Sequence, residues 1–469
     1  MQEYPVLIGR HADGAPWAFN GSEHIGVHAR SGSGKTSNFS IPNAFEWPGS
    51  LIVLDIKGQI FRATAGHRAE RLGQDVFLFN PTARDGRSHR WNPFSIIERD
   101  SIDRFDQILQ LAYALVPETW DGSNAARFWE PAGRMAFTAV TALLAETPEE
   151  LLTPSNVLRA FMRGDYHEWL VGLIEQRREW GKPYSAQVVE GISDFLSGHP
   201  DQVGGIRKSV STLLGMFWNP RIAAATEASD FDVRELRRTP MTLYISVTPS
   251  QMPRMRPLLR LLFDQIIALN TDITPEEDET LTEPVLLLLD EFVQIGKAVT
   301  LAHAGQYVRG YGIRIAYVIQ DKPQLNELYG VSLARDIFSN LGAEIVFGTS
   351  DIALAEEIER RMGDATVLAD SVSKPNWMGA WKWDRQTRST HPHRQPVLYD
   401  HEILQLPPEL QIVLCPGMQG ALTERIVWYK DDYFTKLLLP PPAIPKLDVK
   451  LRWDDGSVKF PKRRQSLLT

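Results

Sequence analysis

The chain is poor in several features that would each point to a particular class of protein. It has 469 residues and a single cysteine, Cys415, so an internal disulfide is excluded and a reducing compartment is expected. Positive charge is not in excess, because the net charge is −8 and the pI is near 5.8. The surface as a whole therefore does not indicate nucleic-acid binding, although an average charge says little about a pore or groove.

Long hydrophobic runs are also missing. The longest charge-free apolar stretch, residues 135–145, is far shorter than the roughly 20 residues that cross a bilayer. The first motif begins at Ala29, and we expect no membrane anchor ahead of it. The sequence has no internal repeat and no low-complexity block, and its length favours two or more domains.

A loop of small residues near the N-terminus ends in Gly34, Lys35 and Thr36. Its spacing is that of a P-loop, except that Ala29 stands where the first glycine usually lies. Apolar residues 25–29 predict a strand before it, and residues 37–41 predict the start of a helix after it. We call residues 29–37 the phosphate loop. The residues expected to contact a bound nucleotide are Arg30, Ser31, Gly32, Ser33, Gly34, Lys35, Thr36 and Ser37.

The phosphate loop predicts nucleotide binding for a physical reason. Small residues let successive backbone N–H groups turn inward around a phosphate, and the following helix adds partial positive charge at its N-terminus. Lys35 would then reach the outer phosphates, and the Thr36 hydroxyl would hold Mg²⁺. The competing interpretation is a serine- and glycine-rich loop that only caps a helix.

A second motif consists of Asp290 and Glu291, which end the apolar run of residues 284–289. In P-loop ATPases such a pair places one carboxylate beside the magnesium shell and the next beside the attacking water. Asp290 is thus predicted to support the metal and Glu291 to act as general base. As an isolated pattern the pair is weak, but together with the phosphate loop it becomes strong.

Other apolar runs share the rhythm of an α/β fold. Residues 51–55, 75–80, 241–247, 313–320, 343–348, 411–415 and 425–429 are predicted as strands of one largely parallel sheet. The run at 313–320 ends in Gln320, which could sense the terminal phosphate or position water, although a plain turn residue is the alternative.

Between residues 101 and 228 strand-like runs disappear and amphipathic helical patterns follow one another. We therefore predict a nucleotide-binding domain from residues 1–100 and 229–440, an inserted all-α domain at 101–228, and a C-terminal tail at 441–469.

Taken in order, these motifs resemble TraG-type coupling proteins of type IV secretion and conjugation systems. The resemblance spans roughly residues 6–430 and depends on the ordered set rather than on any one motif. Its stretches are residues 32–36, 41–43, 50–58, 64–66, 91–94, 128–130, 229–232, 257–260, 290–292, 309–320, 406–408 and 412–414.

The resemblance implies a RecA-like motor domain with an all-α insertion, ATP and Mg²⁺ as cofactors, and hexamers at the base of a secretion channel. ATP hydrolysis would move single-stranded DNA, a relaxase–DNA complex, effector proteins or a combination of these. In such rings an arginine from a neighbouring subunit offsets transition-state charge, and Arg309 and Arg314 are the candidates. Asp55 and Lys57 match the family pattern beside the phosphate loop, with a simple polar turn as the alternative.

Members of this family usually carry N-terminal transmembrane helices, and this sequence shows none. We expect either the soluble part of a protein at the cytoplasmic face of the bacterial inner membrane or a membrane-free relative. Two other functions stay open: a DNA pump of the FtsK or HerA type, and a substrate receptor that binds nucleotide but hydrolyses it poorly.

Three further clusters are weaker signals. Trp377, Trp381 and Trp383 alternate with Lys382, Arg385 and Arg388, which could stack on unpaired bases but more simply form a locally packed loop. His391, His393 and His401 lack the additional ligands of a metal site. The basic residues between 459 and 464 predict a solvated tail.

Overall fold

A computed structural model describes residues 4–30, 32–116, 124–320, 322–373 and 387–451 of the chain. The side chains of residues 124–129, 367–373, 387–391 and 393 lie outside this description. Several sequence-based predictions concern residues or side chains that the structure does not describe, and they stay predictions. They are Ser31, the basic tail, the side chains of His391 and His393, and the aromatic and basic side chains Trp377, Trp381, Lys382, Trp383, Arg385 and Arg388.

The strands are numbered in chain order. They are β1 (Val6–Arg10), β2 (Pro16–Phe19), β3 (His24–His28), β4 (Ser50–Leu54), β5 (Asp75–Phe79), β6 (Met241–Ile245), β7 (Val285–Leu289), β8 (Ile313–Ile319), β9 (Leu341–Val346), β10 (Asp364–Ser373), β11 (Thr387–Pro396), β12 (Leu410–Leu414) and β13 (Ala421–Glu424).

The helices are numbered in the same way. They are α1 (Ile41–Glu46), α2 (Gln59–Glu70), α3 (Arg104–Leu115), α4 (Asn124–Ala145), α5 (Pro154–Met162), α6 (Tyr166–Glu179), α7 (Ala186–Ser197), α8 (Pro200–Leu213), α9 (Pro220–Ala225), α10 (Met252–Asn270), α11 (Val299–Ala304), α12 (Lys322–Tyr329), α13 (Val331–Ser339), α14 (Ile352–Met362), α15 (Asp400–Leu404) and α16 (Asp432–Thr435).

The chain divides into two compact units. The first comprises Met1–Leu51, Pro284–Val293 and Ala302–Leu439, and the second comprises Ile52–Glu283, Gln294–Leu301 and Pro440–Thr469. This division does not follow the predicted boundaries near residues 100 and 228, because β5, β6, α2 and α10 group with the helices of the second unit. The predicted domain boundaries therefore stay a prediction.

The first unit contains a sheet whose central strands are parallel. Its strand order is β2-β1-β13-β12-β9-β3-β8-β7. β3 runs parallel to both β8 and β9, and β7 runs parallel to β8. Every residue of β3, β7, β8 and β9 is buried, as expected for strands covered on both faces. β7 is apolar throughout, whereas β3, β8 and β9 also contain the buried residues His24, His28, Arg314 and Glu344.

The remaining strands of this sheet, from β9 outward to β2, pair antiparallel. β12 pairs antiparallel with β9 and β13, and β1 pairs antiparallel with β13 and β2. The predicted strand at residues 425–429 is wrong, because β13 spans Ala421–Glu424 and none of the predicted residues lies in a strand. Arg425 leaves the sheet with its side chain bound to backbone carbonyls of other segments, and a short 3-10 helix follows at Trp428–Lys430.

A separate hairpin, β10 with β11, extends from the end of α14. Neither strand was predicted. The loop expected around Trp377 to Arg388 lies mostly outside the described residues. Residues 387–396 are polar or charged apart from two prolines and lack the apolar alternation that predicts a strand.

The second unit contains β4, β6 and β5 in that order, with β5 parallel to β6. The chain enters this unit within β4. Helices α3 to α9 confirm the expected helical segment between residues 101 and 228. α6 was not predicted, because this helix is rich in charge and Leu170 is its single fully buried residue.

Within the described part of the chain, the helices are too short or too polar for any of them to span a membrane.

Candidate functional site

The carboxyl ends of three parallel strands meet at one edge of the first unit's sheet. In register, His28 of β3 pairs with Ile319 of β8, while Leu289 of β7 pairs with Tyr317 of β8. The residues that follow these strand ends are therefore neighbours at that edge. They are the phosphate loop after β3, Asp290 and Glu291 after β7, and Gln320 after β8.

The phosphate loop turns sharply at two glycines. Gly32 has φ 79° and Gly34 has φ 87°, a left-handed conformation that strains any residue with a Cβ atom. The helix that follows begins with a wide π-helical turn at Thr36–Ser40 and continues as α1, which confirms the predicted strand–loop–helix arrangement. Arg30 is exposed, and the Ser37 hydroxyl donates to the Gly34 carbonyl over 3.0 Å.

Asp290 binds the hydroxyl groups of the helix that follows the phosphate loop. Its Oδ2 accepts from Thr36 Oγ1 at 2.7 Å and its Oδ1 from Ser40 Oγ at 2.5 Å. Burial raises the pKa of Asp290, while the two hydroxyls and Lys35 oppose that rise. A buried carboxylate and a threonine hydroxyl held in contact are oxygen ligands of the kind that Mg²⁺ takes.

Lys35 and Glu291 form an ion pair beside these groups. Lys35 Nζ lies 3.4 Å from Glu291 Oε1, and the exposed fractions of the two side chains are 9% and 19%. Lys35 Nζ is buried and has no hydrogen-bond partner in the described part of the chain. The Ser33 hydroxyl is also buried without a partner there. These orphaned donors fit a site that takes up an anion with several oxygens.

Gln320 and the two candidate arginines lie in very different surroundings. Gln320 is half-buried directly after β8. Arg309 lies on a 3-10 helix at the surface and pairs with Glu23 at 3.2 Å. Arg314 lies within β8, is 5% exposed, and donates to the carbonyls of Tyr4 and Gly21. Because its guanidinium is used inside the subunit, Arg314 does not fit the role of a residue offered to a neighbour.

Asp55 and Lys57, which match the family pattern, follow the end of β4. Asp55 Oδ1 accepts from the Gln59 N–H at 3.0 Å and Oδ2 from the Phe61 N–H at 2.8 Å, so the carboxylate caps α2. Lys57 is exposed. This arrangement favours the polar-turn alternative.

His24 fixes the segment that carries Arg309. Its Nδ1 accepts from the Ile315 N–H at 3.1 Å, and its Nε2 therefore donates to the Gly305 carbonyl at 2.9 Å. This pattern requires a neutral ring. Burial lowers the pKa of His24 from its ordinary 6.5 to about 4, with Arg314 and Arg309 acting in the same direction.

The depressed pKa of His24 predicts a pH-dependent stability. Between pH 6.5 and 4 the unfolded chain binds a proton that the folded chain does not. The free energy of unfolding should therefore fall by about 3 kcal/mol as pH falls through this window. Urea denaturation of the wild type and of His24→Gln at both ends of the window measures this change.

His24→Gln should lose most of this dependence. Burial also lowers the pKa of His89, but that histidine is common to both proteins and cancels in the difference. Equal slopes for the two proteins would contradict the assignment to His24.

Two residues at the site were missed by the sequence analysis. Ser40 binds Asp290, and its spacing of four residues from Thr36 on a helix is a signal that could have found it. Arg425 donates to the Ser33 carbonyl of the phosphate loop at 2.8 Å. Nothing local in the sequence indicates that contact, because the two residues are remote along the chain.

These features define a class of protein: an α/β, RecA-like P-loop fold in which a lysine-bearing loop and an acidic strand end meet at one sheet edge. The family model "Type IV secretory system Conjugative DNA transfer" matches residues 5–448. The chain belongs to that family.

Individual proteins agree with this assignment. Protein VirD4 of Agrobacterium fabrum (strain C58 / ATCC 33970) is 30% identical over 441 residues, which are 90% of this chain and 62% of that protein. The chain thus spans less than two thirds of this relative's length.

Solved structures of the plasmid coupling protein TrwB share the fold. The complex with the non-hydrolysable ATP analogue ADPNP has a TM-score of 0.62 at 19% identity, covering 90% of this chain and 89% of the other. The complex with ADP and Mg²⁺ has a TM-score of 0.62 at 18% identity, covering 90% and 89%.

Proposed function

We propose that the chain is the ATP-hydrolysing motor part of a coupling protein that recruits DNA, protein or both and passes them to a type IV secretion channel. Membership of the conjugative DNA transfer family supports this proposal. We place the motor at the cytoplasmic face of the bacterial inner membrane, in contact with the secretion machinery and working as a homo-hexamer.

The observation that carries the catalytic part is the grouping of Lys35, Thr36, Asp290 and Glu291 at one sheet edge. Lys35 would bind the outer phosphates of ATP, and Thr36 with Asp290 would hold Mg²⁺. When bound, Mg²⁺ neutralises charge on the phosphate oxygens. Glu291 would leave Lys35 as the phosphates arrive, and its carboxylate would then orient the attacking water and accept its proton. Gln320 would contact the terminal phosphate or that water.

Arg309 is our candidate for the arginine that acts on a neighbouring subunit's nucleotide. It is roughly half exposed, and its surface ion pair with Glu23 contributes less than about 1 kcal/mol, so a phosphate could displace Glu23. An arginine supplied across an interface couples hydrolysis to ring assembly.

Steady-state ATP hydrolysis with and without single-stranded DNA tests the proposal. We expect turnover to rise when DNA assembles subunits, and Arg309→Ala to return it to the DNA-free rate. Arg335→Ala is the matched control, because Arg335 is an exposed arginine on α13.

The alternatives give other outcomes. Negligible hydrolysis under both conditions, together with binding of a secreted protein, would favour a nucleotide-binding receptor over a motor. DNA-stimulated hydrolysis without association with secretion components would favour a DNA pump of the FtsK or HerA type. An Arg309→Ala protein that keeps full DNA stimulation would remove Arg309 from the proposal.

A further inference from the structure

Arg425 is a buried cation that joins three separate segments of the first unit. Its Nη1 donates to Ser33 O at 2.8 Å, its Nη2 to Phe347 O at 2.7 Å, and its Nε to Leu410 O at 2.7 Å. The residue is 6% exposed, and its guanidinium lies 4.5 Å from the centre of the Phe347 ring. A planar group with donors on several sides is suited to hold three carbonyls at once.

The contact with Ser33 fixes the direction of one peptide unit in the phosphate loop. In a trans peptide the C=O and the following N–H point in opposite directions. Because the Ser33 carbonyl points at Arg425, the N–H of Gly34 points away from Arg425. The left-handed φ of 87° at Gly34 shows how sharply the loop turns at this peptide.

The other two contacts tie this peptide to the sheet. Phe347 follows β9, which pairs with β3, and Leu410 begins β12, which pairs with β9. Arg425 therefore fixes the Ser33–Gly34 peptide relative to the strands that flank the phosphate loop. A loop held in this way does not have to be ordered by its ligand.

The charge of Arg425 is held mainly by carbonyl dipoles. Among the described residues its guanidinium donates to three backbone carbonyls. Burial lowers its pKa to about 10, so the group stays charged at neutral pH. The charge of Glu409 also acts on it and raises its pKa, while Arg30 lowers it. A fixed positive charge bound to the outer side of the Ser33–Gly34 peptide polarises that peptide and strengthens the Gly34 N–H as a donor.

From this geometry we infer that Arg425 is a positioning residue for phosphate binding, which acts by holding the Ser33–Gly34 peptide with its N–H directed into the phosphate loop. The inference rests on the proposed nucleotide binding at this loop. It assigns to Arg425 an effect on ground-state and transition-state binding alike, since the phosphates contact the loop in both.

The test compares the wild type with Arg425→Lys and Arg425→Gln in the full chain. The probes are ADP and inorganic pyrophosphate, measured by calorimetry, with ATP turnover measured alongside. Lysine keeps the charge but cannot hold three carbonyls. We expect Arg425→Lys to weaken both probes about tenfold and to raise KM by a similar factor with kcat nearly unchanged. Arg425→Gln, which also loses the charge, should weaken binding further.

Arg237→Lys is the matched control. Arg237 is 1% exposed and donates from Nη1 to the carbonyls of Asn270 and Ile273, both at 2.9 Å, and both of these carbonyls lie outside the phosphate loop. This variant should lower the melting temperature and leave both affinities unchanged. All measurements are made well below each variant's own melting temperature, so a loss of stability is separated from a loss of binding.

The outcomes separate this inference from the proposed function. Wild-type protein that binds neither probe and does not hydrolyse ATP would overturn both. Wild-type protein that binds and hydrolyses, with Arg425→Lys and Arg425→Gln equal to it in affinity, would overturn the role of Arg425 alone. A fall in kcat at unchanged KM would also overturn it, because that pattern belongs to a group acting only in the transition state.

Discussion

Glu291→Gln is expected to reduce kcat for ATP hydrolysis by about 10²–10⁴-fold while nucleotide still binds. The amide has nearly the same shape as the carboxylate but cannot accept a proton from water. Glu291 pairs with Lys35 at 3.4 Å, so the carboxylate competes with phosphate for the same ammonium group. Removing that competitor should leave ADP affinity unchanged or increase it.

Single-turnover hydrolysis and equilibrium binding of ADP measure the two halves of this prediction. Glu327→Gln is the control, since Glu327 is an exposed carboxylate on α12. If the Glu291 variant turned over within about threefold of the wild type, Glu291 would not be the general base. If it lost ADP binding instead, the side chain would hold the loop rather than the water.

Lys35→Ala should differ from Glu291→Gln, because its main effect should be a loss of nucleotide affinity rather than a loss of kcat. Lys35 Nζ is buried and has no hydrogen-bond partner in the described part of the chain, although it pairs with Glu291 at 3.4 Å. An incoming phosphate would take the place of Glu291 as its ionic partner. Removing one partner of a buried charge-assisted contact costs about 2–5 kcal/mol, which corresponds to a loss in ADP affinity of about 30- to 4,000-fold.

The control for this prediction is Lys436→Ala, because Lys436 is exposed and follows α16. Thermal unfolding with and without ADP gives an independent readout. The wild type and the control should be stabilised by ADP, and the Lys35 variant should not. Unchanged ADP affinity together with unchanged turnover in Lys35→Ala would refute the assignment of the phosphate loop.

The central strands and the chemistry at their ends were predictable from the sequence because the signals are local. The run that became β7 is apolar at each position and ends directly in two acids. The run that became β3 leads straight into the small residues of the phosphate loop. Since carboxyl ends of parallel strands share an edge, the meeting of Lys35, Asp290 and Glu291 followed from these runs.

What could not be predicted depends on contacts between distant segments. Arg309 and Arg314 look alike in sequence, yet one lies at the surface and the other is buried against the carbonyls of Tyr4 and Gly21. Arg425 has partners at Ser33 and Phe347, which no spacing rule connects. Side chains that bind remote backbone carbonyls leave no periodic signal, because a carbonyl is present in every residue.

The pairing of β3 has a consequence for how the protein is made. Ile25 of β3 pairs with Ala316 of β8 and with Ala343 of β9, on the far side of the helical segment in sequence. At roughly 5–20 residues per second of synthesis, β3 leaves the ribosome roughly 15–60 s before its neighbours exist. During that interval an apolar strand has open edges on both sides, while the helices of residues 101–228 have local partners and can already pack. The part of the chain that carries the phosphate loop is thus synthesised long before the strands that complete it, and its open edges are an aggregation risk during that interval.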